Sequence, residues 1–302
     1  MKYFLKINAM GMHPELSVDR EEYQSLRTAH TMLSEALAME EKYEILISNH
    51  LDIEKELLSH AVQLMLCKPQ DYDDIFQVRI DLNRKMVNLL TAARLYVDQL
   101  HQHVIAILAH DIEIKQKVKS LFAREYDNFP EYRFMEDLRN YVQHSGMPVH
   151  RKQFREFVND AGGVRQVVYA MEMSAQKEYL QQDDKFKKKI LEEMPDEVDL
   201  KDCTRVYVEC ISRVHSSLRD MAEEFLNDAG LSIDRKIRSY MVISEEKWIE
   251  LRAFAVNDDE VVDSFPLMLD WENVRLGLIR RNEQLVNLRN RYVTGQIAAK
   301  HG

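Results

Sequence analysis

Cysteine is scarce and odd in number: Cys67, Cys203 and Cys210 are widely spaced along 302 residues. No disulfide framework and no zinc-type ligand spacing can be built from them, so a reducing, cytoplasmic setting is expected. Glycine (8) and proline (6) are also few, which leaves long stretches without a helix breaker. No apolar run approaches the roughly 18 residues needed to span a bilayer. The opening MKYFLKINAM is too short and too interrupted for a secretory signal, and no membrane association is expected. A basic excess is missing as well. Lys and Arg number 41 against 51 Asp and Glu, for a formal net charge of -10. Non-specific affinity for RNA should therefore be weak. Gly162-Gly163 lies in neither a Walker pattern nor a G-x-G-x-x-G and reads as a turn. No Glu-x-x-His pair is present, which excludes the usual ferritin-type di-iron spacing. Neither a cofactor nor a metal is expected.

What is present is 45% hydrophobic and 30% charged residues, enough for a real core in a mainly helical chain. From Val18 to about Cys67 apolar residues recur at threes and fours, as one long helix or two joined by a kink. Lys68-Pro69 closes it, and Asp73-Asp74 opens a second helix running from Phe76 to about Leu108. Ile112 to Tyr126 continues as helix. Val206 to Leu226 is another, ending near Asn227 to Gly230, and Trp271 to about Gly295 is the last. Tyr3 to Ile7 reads as a short strand that must find a partner late in the chain. Val167 to Met173 is rich in strand formers, and Ser174 is placed to cap a helix through Tyr179. Met241 to Ile243 and Trp248 to Val256 fit strand or helix. Asp258-Asp259 marks a turn, and Phe265 to Leu269 looks extended. His101 and His103 are about 200° apart on a helix, and His103 and His110 two turns apart. Neither pair is a metal site, and all three read as helix-face residues.

One segment carries specific polar residues: FPEYRFMEDLRNYVQHSGMPVH, Phe129 to His150. Pro130 suits the first helical position, and Ser145-Gly146 followed by Pro148 is a stop signal. Phe134, Met135, Leu138, Tyr141 and Val142 fall on one face, so the spacing predicts a helix of about 15 residues ending at His144 or Ser145. The other side carries Arg139, Asn140 and His144. Asn140 and His144 are one turn apart, whereas Arg139 and His144 are about 140° apart. A His in the last helical turn faces the negative end of the helix dipole, which favours its charged form. An imidazole that moves a proton and a guanidinium that holds a phosphate suit phosphodiester chemistry.

Arg139-Asn140-x-x-x-His144 resembles the signature of the HEPN family, an Arg and a polar residue followed after three positions by His. The resemblance covers at most residues 18–150. It implies a small antiparallel helical bundle, commonly dimeric, and a metal-independent endoribonuclease of the kind found in toxin–antitoxin and phage-defence systems. By that resemblance Arg139 binds the scissile phosphate, His144 is the general acid/base and Asn140 orients them. Asn83 to Leu100 is the kind of helix that packs beside such a motif. Family members that have lost catalysis serve as structural or binding modules.

The expected fold is mainly α, an antiparallel helical bundle with a few short β-strands at the N-terminus and in the C-terminal half. Residues 1–150 would form the HEPN-like bundle with its N-terminal strand. Residues 151–302 would form a helical region with minor strands, packed on the first or separate. The basic residues after the motif, His150, Arg151, Lys152 and Arg155, read as a solvated helix start. In the functional alternative, Arg151 and Lys152 supplement substrate binding. Two functions stay open. One is a HEPN-type endoribonuclease acting on RNA as a homodimer, restrained by an antitoxin or other protein partner. The other is a non-catalytic helical interaction protein that keeps the motif for structure.

Overall fold

The computed structural model describes residues 1–67, 72–108, 111–161, 164–244 and 250–293. Lys68-Pro69, His110, Gly162-Gly163 and Trp248, each assigned a role above, lie outside the described residues. The chain is mainly helical, with eight α-helices and seven strands among the described residues. In order these are β1 (Lys2–Ile7), β2 (Leu16–Val18), α1 (Arg20–Leu66), α2 (Tyr72–Ile107), α3 (Ile114–Asn128), α4 (Pro130–His144), β3 (Arg151–Ala161), β4 (Val164–Gln176), α5 (Lys177–Leu180), α6 (Lys188–Glu192), β5 (Glu197–Asp199), α7 (Leu200–Ile243), β6 (Leu251–Asn257), β7 (Glu260–Pro266) and α8 (Asp270–Arg281). They form two compact units that interleave along the chain. The first comprises residues 1–44, 95–119 and 215–283, and the second residues 45–94, 120–214 and 284–302.

The first unit holds an antiparallel sheet in the order β2-β1-β6-β7. The late partner expected for the first strand is β6, with Leu5 opposite Ala253. Asp258 and Asp259 make the β6–β7 turn, both in the left-handed region at φ 48° and 68°, which Asp tolerates better than most residues. Leu5, Ala253 and Phe265 are buried. Tyr23 of α1 packs on Tyr3 and Phe265 and donates to Asp263 at 2.7 Å. Tyr240 of α7 donates to the Pro14 carbonyl at 2.9 Å and accepts from the Ile7 N–H.

Inside this unit Glu40 is 0% exposed. Arg219 grips its carboxylate with Nε at 2.8 Å and Nη2 at 2.5 Å. His215 Nε2 lies 3.2 Å from Glu40, and its Nδ1 lies 2.7 Å from the Tyr96 hydroxyl. Burial pushes the His215 imidazole down, so the ring is neutral. Its Nε2–H then donates to Glu40 while Nδ1 accepts from Tyr96, and every polar atom of the ring is satisfied. Tyr43 stacks on the imidazole at 3.9 Å. Burial acts to raise the Glu40 carboxyl, but the bonds from Arg219 and His215 prevail and hold it down at about 2. His103 sits in the same unit between Glu35 at 2.6 Å and Lys42 at 2.7 Å.

In the second unit β3, β4 and β5 form an antiparallel sheet. Phe157 lies opposite Val168 and Val158 opposite Val167, and all four are exposed. Of the basic residues expected to start a helix here, Arg151, Lys152 and Arg155 lie on β3 and His150 directly precedes it. Lys152 lies opposite Met173 and Phe154 opposite Met171 across the hairpin. Ser174 is a strand residue, and the following helix starts at Lys177 with Gln176 as N-cap.

Two other expectations are corrected. The α7 helix does not end near Gly230 but runs on to Ile243. In the first unit Leu226, Ala229, Ile233, Ile237 and Tyr240 are all buried, and this unbroken stripe outweighs one glycine. Met241 to Ile243 are accordingly helical. The last helix stops at Arg281 rather than near Gly295. In the first unit buried Asn282 donates to Glu44 at 2.5 Å, and its carbonyl accepts from Arg219 at 2.7 Å. In the second unit Ser212 and Glu209 accept the N–H groups of Leu285 and Leu288, and Arg205 takes the carbonyls of Leu288 and Arg291. These backbone groups are spent on α7 side chains instead of a helix ladder.

Candidate functional site

The α4 helix begins and ends where its sequence signals place it, with Pro130 in the first turn and Ser145 as C-cap. Tyr132, Phe134, Met135 and Leu138 are buried, and Tyr141 and Val142 are half-buried. Buried Asp137 accepts from the Lys187 N–H at 3.0 Å and its ammonium at 2.9 Å.

The motif residues diverge around this helix. Arg139 is half-buried and donates to its own neighbours, Asn140 at 2.9 Å and Gln143 at 3.2 Å. Its Nε is buried with no hydrogen-bond partner among the described residues. Arg139 also acts on the hydroxyl of buried Tyr207 of α7, which donates to Glu136 at 2.5 Å. Asn140 and His144 are exposed. His144 lies near Asp183, whose carboxyl is held below its usual range by the Ser145 hydroxyl first, then the Lys185 N–H, with the imidazole contributing. Arg139 and His144 stand about 140° apart around α4, Arg139 half-buried and His144 exposed. Of the two residues assigned to substrate binding, exposed Arg151 pairs with Glu197 at 3.0 Å. Lys152 has its ammonium nitrogen buried with no hydrogen-bond partner among the described residues.

The second unit also contains an open cleft of about 800 Å³, lined by Arg79, Asn83 and Arg84 of α2, Tyr141 of α4, and Val149, His150 and Tyr179. Its frame is a side-chain clamp. Asn83 is buried, accepts from the Val149 N–H at 2.9 Å and donates to the Arg79 carbonyl at 3.0 Å. One residue on, His150 Nδ1 accepts from the Gln176 N–H at 2.9 Å. The ring's one remaining proton is then on Nε2, which lies 3.4 Å from the Tyr141 hydroxyl. Burial pushes this imidazole down too. Tyr141 and Tyr179 both meet His150 edge-on, with centroids at 5.9 and 5.1 Å. Gly146 is needed beside them, because a Cβ there would overlap the Tyr141 hydroxyl.

The sequence reading passed over Arg79, Asn83, Arg84 and Tyr179. A signal for the first two exists, since Arg79 and Asn83 are one turn apart on one helix face. Nothing local marks Tyr179.

Among the described residues no group of His, Cys, Asp and Glu could hold a metal ion, and no helix is long and apolar enough to cross a membrane. No family model, curated protein or solved structure matches the chain.

Proposed function

We propose that this chain is a non-catalytic helical interaction protein in which Arg139-Asn140-x-x-x-His144 is part of the architecture. One observation carries the reading: Arg139 spends its guanidinium on Asn140 and Gln143 of its own helix. A phosphate-binding arginine needs its fork free for the ligand. The exposed Phe157, Val158, Val167 and Val168 of the β3–β4 hairpin offer a partner an apolar surface of the kind that marks interaction sites.

A second reading is a HEPN-type endoribonuclease acting on RNA, its site completed by a second copy. It is favoured by the solvent-exposed imidazole of His144 at the end of α4 and by the unpartnered Nε of Arg139. A toxin or phage-defence role, with an antitoxin as partner, belongs to this reading.

Incubation of purified chain with structured and single-stranded RNA, without metal, separates the two. The expected outcome is the same background for the wild type, Arg139→Ala and His144→Ala. Cleavage by the wild type that His144→Ala abolishes would overturn the interaction reading and support the nuclease.

A further inference from the structure

The open cleft of the second unit carries charge of one sign. Arg79 and Arg84 of α2 line it, and no acidic side chain does. The two guanidinium groups differ. Arg84 lies 3.5 Å from Asp81, so its charge is already offset. Arg79 lies 5.4 Å from the Phe76 ring, and among the described residues it has no ion pair and no acceptor for its side-chain N–H groups. Those donors are left for a ligand.

Arg79 is tied to the rest of the wall through Asn83. That side chain donates to the Arg79 carbonyl and accepts from the Val149 N–H. The next residue, His150, is held by the Gln176 N–H and meets the rings of Tyr141 and Tyr179. The cation and the aromatic wall are therefore fixed to one frame. Ile80 and Val87 share a face of α2, two turns apart, and Met147 and Val149 add to the apolar lining. Ile80, Met147 and Tyr179 are exposed, so this wall is uncovered. From Arg79 to Val87 the helix rises about 12 Å. The volume lies in the usual range for small-molecule sites, roughly 300–1,000 Å³.

We propose that this cleft binds an aromatic monocarboxylate with a two-ring body, the carboxylate on the Arg79 guanidinium and the rings against Tyr179 and the Ile80–Val87 stripe of α2. Charge selects the carboxylate. One guanidinium without a counter-charge matches one negative charge, and its fork takes both carboxylate oxygens. Length selects the body, because a single ring with its carboxylate falls short of Val87 when it starts from Arg79. Exposed Tyr179 supplies the π-face and His150 its support. Neither Arg139 nor His144 lines the cleft, so the site stands whichever reading of the motif holds.

Titration calorimetry on the full chain tests this, with 2-naphthoate, benzoate, 2-naphthalenemethanol and 2-naphthyl phosphate as probes. The naphthoate should bind saturably at one site, more tightly than each of the other three. Arg79→Gln should weaken it about tenfold or more and bring it to the level of the uncharged alcohol. Arg84→Gln should change it far less. Tyr179→Ala should weaken naphthoate and alcohol alike, by about two- to tenfold. Arg79, Arg84 and Tyr179 are exposed, so all three variants should keep the wild-type circular dichroism. Absence of saturable naphthoate binding, or binding indifferent to Arg79→Gln, overturns the site. Equal losses in Arg79→Gln and Arg84→Gln overturn the single cation. Equal or tighter binding of the naphthyl phosphate overturns the carboxylate, and equal binding of benzoate overturns the two-ring body.

Discussion

Replacing Glu40 with Gln keeps the shape of the buried side chain and removes its charge. In the wild type the carboxylate satisfies Arg219 twice and His215 once in an environment with no access to solvent. The variant leaves Arg219, itself mostly buried, without a counter-charge. Loss of one partner of a buried pair costs about 3–5 kcal/mol. The carboxyl gives an independent figure. It is held at about 2 against an ordinary 4.5, and that difference corresponds to about 3 kcal/mol of stability in the charged state. The sign follows from a depressed acid. The contribution is complete above pH 4.5 and is lost as the pH falls through about 2. Urea titrations of both proteins at pH 7 should differ by about 3 kcal/mol. The gap should shrink by roughly half near pH 3 and close below about pH 2. A gap under about 1 kcal/mol at pH 7, or one that does not change with pH, refutes the assignment of Glu40 as the ionised centre of this network.

Three further outcomes are expected. Asn83→Ala strands the buried Val149 N–H that Asn83 accepts from. It should cost about 1–3 kcal/mol in urea unfolding, with faster hydrogen exchange at the Val149 amide. Gly146→Ala places a methyl where the Tyr141 hydroxyl lies. The ring must turn, so about 1–3 kcal/mol of stability is lost in urea unfolding. Lys152 is held down at about 8, by burial first and Arg79 second. The native state therefore gives up this proton before the unfolded chain does, and wild-type stability should climb as pH rises from about 8 toward 10.5. Lys152→Met should be the more stable protein at pH 7 in phosphate-free buffer, with the advantage fading across that window in thermal melts.

The parts of the fold that depend on local chemistry were readable. Pro130 and Ser145-Gly146-x-Pro148 bound α4 correctly, because helix ends are set by backbone groups that adjacent residues satisfy or leave open. The need of the Tyr3–Ile7 strand for a late partner was also legible, since an isolated strand leaves its N–H and C=O groups unpaired. What failed depends on distant partners. Arg151, Lys152 and Arg155 look like a helix start, but backbone pairing with Ser174, Met173 and Ala170 of β4 makes them a strand. Gly230 looks like a stop, but the buried residues on either side of it carry α7 through. The chain after Arg281 keeps good helix formers and loses the helix to Ser212, Glu209 and Arg205, more than seventy residues earlier. For the candidate sites, His215 and Arg219 one turn apart hint at a shared partner, yet no spacing identifies Glu40 as that partner. Arg79 and Tyr179 are likewise brought to one cleft by the fold alone.

The pairing of β1 with β6 bears on synthesis. Tyr3 lies opposite Ala255, so the first strand emerges from the ribosome about 250 residues before its neighbour. At about 5–20 residues per second, Phe4, Leu5 and Ile7 wait roughly 12–50 s with β2 as their one available strand. A nascent chain in that interval presents an apolar sheet edge, which is an aggregation hazard and a natural substrate for a chaperone. The first unit can close only once β6 and β7 have been made, whatever the order in which the helices form.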